Sequence, residues 1–211
     1  MKRLSSMIAQ MLHDAPCWKR VTFMAFCCEP MVSNYLIYRA KANRGSVAVL
    51  KDALDVAWAF AATGELGAAE QHIAPCSRQS PDWIDRNALY AHGAADACMA
   101  VTHLLGCVEA PSLEDVIDSS DSALWTLATL VPDDALPEPE RLNQARLIDA
   151  EIARQSNCLA RLEQAGQERD AALVRTLQRE SEESPPSLTL VRPYVANSQA
   201  AQLSAHVKAA I

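Results

Sequence analysis

Glycine is scarce in this 211-residue chain, with six in all. No phosphate-cradling glycine loop, dinucleotide fingerprint or G-x-S-x-G turn appears in it. Aromatic residues make up only 5%. The longest apolar runs fall far short of the roughly 20 residues that cross a bilayer. The opening residues, MKRLSSMIAQML, are interrupted by Ser5, Ser6 and Gln10 and lack the small-residue cleavage site of a secretory leader. These absences predict a cytoplasmic protein with no membrane partner. Glu-x-x-His, His-x-x-x-His and His-Glu-x-x-His are also missing, which excludes the di-iron bundle and zinc-protease patterns. No resident cofactor is expected.

Seven cysteines are present (Cys17, Cys27, Cys28, Cys76, Cys98, Cys107, Cys158), an odd number, scattered, with no C-x-x-C pair. They read as small buried hydrophobes in a reducing compartment. The net charge is −7, unevenly placed. Residues 1–44 hold seven basic and two acidic side chains, residues 45–130 three and twelve, and residues 131–184 seven and twelve. A middle region so acidic repels a phosphate backbone, and the basic residues near the start are too dispersed for a nucleic-acid footprint, so no nucleic-acid partner is expected.

Ala, Leu, Glu, Gln and Arg dominate, and strand-like alternation is nearly absent, which predicts an all-α fold. The spacing predicts a bundle of six to seven helices over residues 1–183, followed by a linker and extended tail over 184–211. Residues 3–13 form an opening helix. From Val21 to Tyr38 almost every position is apolar, which places that helix at the centre. Pro30 inside it is expected to kink or interrupt it and to free carbonyls near Phe26 and Cys27. Ser46 caps a helix ending at Thr63-Gly64, residues 65–77 form a shorter one, and Ser80-Pro81-Asp82 opens an alanine-rich one reaching Leu105. Ser112 with Asp115 makes an acidic capping box. After the break at 131–139, apolar residues recur near a 3.5-residue period over 140–180. An unbroken helix there spans about 60 Å, more than the width of about 45 Å expected for a globule of this length. It must bend near Gly166 or protrude as a seam for a partner.

The run VTFMAFCCEPMVSNYLIY at 21–38, preceded by Trp18, resembles the opening signature of the YjaG-like family of proteobacterial helical proteins. LDVAWAF at 54–60 and YAHGAADACMAVTHLL at 90–105 resemble that family's second apolar helix and its alanine-rich helix. The resemblance implies an all-α cytosolic protein and brings no activity with it. Pro30 stands where a basic residue is expected after the Cys-Glu pair.

Glu29, Ser33 and Asn34 interrupt an apolar helix, and a buried carboxylate needs a partner. One reading is a ligand or metal pocket formed by Glu29, Asn34, His92 and Asp96. The plainer reading gives Glu29 backbone donors or an arginine such as Arg39 or Arg86, with Asn34 capping carbonyls freed by Pro30. His92, Asp96, Met99 and His103 share one helical face. His92 and Asp96 are the weak metal candidates, with Glu29 or His72 completing the shell. Glu114, Asp115, Asp118 and Asp121 form a candidate acidic docking face. The function expected is a non-enzymatic protein-binding or regulatory module, a homodimer joined through the 140–180 helix. The alternatives are an immunity-like inhibitor of a basic toxin, and a metal- or ligand-binding protein using Glu29, Asp96 and His92.

Overall fold

The computed structural model describes residues 2–81, 91–129 and 138–183. They form eight α-helices and no strand: α1 (Lys2–Leu12), α2 (Cys17–Ala42), α3 (Val47–Thr63), α4 (Ala69–Arg78), α5 (Ala91–Cys107), α6 (Leu113–Thr129), α7 (Glu138–Gln164) and α8 (Ala171–Glu183). The all-α expectation holds, with more helices than the six to seven expected. The proposed tail at 184–211, the opening of the alanine-rich helix and most of the break at 131–139 lie outside the described residues.

The core forms around α2, which touches α3, α5, α6, α7 and α8. Its apolar sequence demands this, because Val21, Phe23, Met24, Cys27, Cys28, Tyr35 and Ile37 point in every direction and all are fully buried. The face of α5 against this core is built from Ala91, Ala94, Ala97, Cys98 and Val101, whose small side chains let the helices approach closely. All seven cysteines are free thiols, five of them buried.

The helix expected over 140–180 is two. Chain reversal around Gly166 ends α7, and Asp170 starts α8 by accepting the backbone N–H groups of Ala172 (3.1 Å) and Leu173 (2.9 Å) on its Oδ1. The bend folds the leucine stripe inward: Leu159, Leu162, Val174 and Leu177 are buried within the subunit. These residues of the apolar seam pack into the protein's own core, as α7 covers α1, α2 and α6 and α8 covers α2 and α3.

Pro30 does not interrupt α2, which runs through it from Cys17 to Ala42. The missing N–H at Pro30 leaves the Phe26 carbonyl without its helical donor. Arg154 of α7 supplies one, at 3.0 Å from Nη2, with its guanidinium 3.9 Å from the centre of the Phe26 ring. Arg154, where Asn34 was expected, thus takes the Phe26 carbonyl; Asn34 is buried and its Oδ1 has no hydrogen-bond partner.

Basic side chains close other helix ends, where unpaired carbonyls carry the negative pole of the dipole. Arg20 donates to Leu12 and His13 at the end of α1 and to Pro111 before α6. Lys19 donates to Ala165 after α7 at 2.7 Å. Arg169 donates to Phe60 (2.5 Å) and Ala61 (2.7 Å) in the last turn of α3. That turn ends at Gly64, whose φ of 82° requires glycine. Ser46 occupies the first cap of α3 without a side-chain bond; its backbone N–H donates to Gln79 Oε1 at 2.9 Å instead. Gly45, at φ 79°, lies against the Tyr35 hydroxyl so closely that any Cβ would collide with it.

Candidate functional site

The four residues proposed for one pocket fall in different places. Glu29 points from α2 towards α3. Its Oε2 accepts the Trp58 indole N–H at 3.0 Å and its Oε1 lies 3.8 Å from Lys51 Nζ. Trp58 and Lys51, not Arg39, therefore satisfy it, and Arg86 lies outside the described residues. Burial pushes the Glu29 carboxyl up to about 7, against the opposing pull of the Trp58 hydrogen bond and the Lys51 charge. Asp96 faces α6 instead, accepting the Thr126 hydroxyl at 3.1 Å. His92 is exposed and acts on Asp96 only through its charge. Among the described residues, no metal-sized group of three includes Glu29, His92, Asp96 or His72. Glu29 and Asp96 are thus bonded to different helices, α3 and α6.

A different grouping does. The α5 face carrying Asp96, Met99 and His103 lies beside the α6 face carrying Asp118, Asp121, Ser122 and Trp125, and the two helices line a cleft of about 590 Å³. Asp96 and Met99, three residues apart, and Asp118, Asp121, Ser122 and Trp125, spaced by threes and fours, share faces for the reason any helical stripe does. Among the described residues, no lysine or arginine lines the cleft. Met99 (62% exposed) and Trp125 (60% exposed) stand out from it into solvent, while burial raises the Asp96 carboxyl, partly offset by Thr126 and His92. Asp121 Oδ1 is shut off from solvent without a hydrogen-bond partner.

At one end of the cleft, His103 Nε2 meets Asp115 Oδ1 at 3.0 Å. Asp115 also completes the expected capping box: its Oδ2 accepts the Ser112 N–H at 2.7 Å, and its own N–H donates to Ser112 Oγ at 3.1 Å. Burial works against the charge of Asp115, but the bonds from Ser112 and the neighbouring His103 outweigh it and hold its carboxyl below the usual range. Of the proposed acidic face, Asp118 and Asp121 belong to the cleft, Asp115 to the cap at its end, and Glu114 projects into solvent away from its lining.

The model for a protein of unknown function, DUF416, matches residues 7–187. The chain belongs to the DUF416 family. Its relatives include the uncharacterized protein YjaG of Escherichia coli K12, 26% identical over 180 residues that make up 81% of this chain and 88% of that protein. YjaG of Salmonella typhimurium is also 26% identical, over 54% of this chain and 59% of its own length. The crystal structure of a DUF416 family protein from Shewanella baltica OS155 has the same fold, with a TM-score of 0.70 at 23% identity, covering 82% of this chain and 92% of that one. The resemblance to the YjaG-like family read from residues 21–38, 54–60 and 90–105 is thus a family relationship.

The DUF416 core also contains a polar group that no motif announced. Glu151, 1% exposed, receives Arg154 through two bonds, Nε to Oε2 (2.7 Å) and Nη2 to Oε1 (2.8 Å), and receives Gln155 Nε2 at 2.8 Å. Gln155, fully buried, then accepts the Ser120 hydroxyl at 2.6 Å. Burial works against the Arg154 charge, but Glu151 overrides it and keeps the guanidinium firmly protonated. In the sequence, Glu151, Arg154 and Gln155 look like ordinary exposed residues of an amphipathic helix. The one available signal was the orphan carbonyl opposite Pro30, which requires a donor from some neighbour.

Proposed function

We propose that the protein works by binding, and that the α5–α6 cleft receives a lysine- or arginine-bearing segment of a partner protein. The observation that carries this reading is the meeting of Asp96, Asp118 and Asp121 with an exposed indole and thioether, without a lysine or arginine among the described residues of the lining. Carboxylates attract and orient a cationic side chain. The charge of the middle region supports it too: twelve acidic against three basic residues over 45–130 attract basic partners at long range.

Leu159, Leu162 and Leu177 of the 140–180 stripe are buried within the subunit, so this reading rests on a basic partner protein and not on a second copy. Calorimetric titration of the full chain with a short peptide of alternating lysine, arginine and alanine tests it. Binding should weaken with salt and fall about tenfold in an Asp118→Asn, Asp121→Asn variant, since each exposed charge contact is worth about 0.7 kcal/mol and the two together about 1.4. Absent binding, or binding unchanged in the variant, would overturn the proposal.

A further inference from the structure

We propose that His103, Cys107 and Asp115 form a binding site for a zinc-class divalent cation, independent of what occupies the cleft. One ligand atom from each lies within 4.8 Å of the others. His103 and Cys107 are four residues apart on α5, so both project from the same side of consecutive turns. The capping box brings Asp115 to them: Ser112 holds one carboxylate oxygen while the other faces the imidazole. That is the support by outer hydrogen bonds which metal-bound carboxylates need.

The spacing suits a tetrahedral ion. Two bonds of about 2.05 Å at the tetrahedral angle separate nitrogen and oxygen ligands by about 3.3 Å, and His103 Nε2 already stands 3.0 Å from Asp115 Oδ1. An ion enters by moving these two apart by a few tenths of an ångström and drawing in Cys107. The thiol is held only weakly, through a 3.6 Å contact with the Leu104 carbonyl of its own helix. Nitrogen, sulfur and oxygen donors together favour zinc over magnesium or calcium, which take oxygen alone. His103, with 45% of its side chain exposed, gives an entry path and leaves a fourth position for water. Cys107 loses its thiol proton to solvent when its sulfur binds the ion.

Cobalt(II) serves as a visible substitute for zinc. The full chain, stripped with chelator, should take up one cobalt per chain, with the intense visible bands of tetrahedral geometry and a near-ultraviolet thiolate-to-cobalt band, and zinc should displace it. Cys107→Ser should abolish the thiolate band. His103→Ala, at an exposed position that leaves the core intact, should weaken cobalt binding by at least about tenfold. Lack of tetrahedral cobalt bands, a thiolate band that survives Cys107→Ser, or unchanged affinity in His103→Ala would each overturn the assignment.

Discussion

Glu29→Gln should make the protein more stable in neutral and alkaline solution and remove a specific part of its pH dependence. Burial raises the Glu29 carboxyl from its ordinary 4.5 to about 7. Between those values the native state holds a proton that the unfolded chain has released, so stability falls as pH rises through that window. The shift of about 2.5 pH units corresponds to about 3.4 kcal/mol at 1.36 kcal/mol per unit. About 2.5 kcal/mol of it should be lost between about pH 5 and pH 8. Lys51, at 3.8 Å, and the Trp58 N–H reduce the cost, whereas Asp55 and Glu182 add to it, and all of these remain in the variant. Glutamine keeps an oxygen for Trp58 to donate to and carries no charge at any pH. Urea unfolding of both proteins across this range isolates the group: wild type minus variant should decline by about 2.5 kcal/mol. A flat difference would show that the carboxylate is not penalised by its surroundings, and a rising one would mean Lys51 dominates.

Arg154→Met should cost about 3–5 kcal/mol in chemical unfolding, because it strands the Glu151 charge in the core. In a Pro30→Ala background the cost should shrink by about 1–2 kcal/mol, as the new N–H at position 30 takes over the Phe26 carbonyl; simple additivity would refute that link. Ser112→Ala should destabilise by about 1 kcal/mol through loss of the α6 cap, measured by thermal unfolding. Gly45→Ala should cost at least about 2 kcal/mol, from its left-handed backbone and the Tyr35 hydroxyl, and Tyr35→Phe should recover part of that cost in the double variant.

Where the sequence was legible, a single local rule governed the outcome. The all-round apolar run at 21–38 had to be central, Gly64 had to end α3, and Ser112 with Asp115 formed its reciprocal cap. Pro30 was half legible: its orphan carbonyl was foreseeable, but its partner Arg154 lies 128 residues away on another helix. Asp170 was a cap signal in plain view, overridden by the continuity of the leucine period around it. The site was harder to read because it depends on which helix faces lie side by side. The α5 stripe and the α6 acids were each visible as helical faces, yet only packing joins Asp96 to Thr126 and His103 to Asp115. Likewise Glu29 and Asp96, both acids in apolar helices, look like partners in the sequence but point to different neighbours.

The most direct test of the docking proposal is a two-dimensional NMR titration of the full chain with the lysine- and arginine-bearing peptide, following the backbone amides and tryptophan indole N–H groups. Docking in the cleft predicts saturable shifts centred on Asp96, Met99, Asp121 and Trp125, reversed by salt and absent with an acidic peptide of equal length. Shifts centred on α1, α7 or α8, or shifts scattered over the surface without saturation, would contradict it.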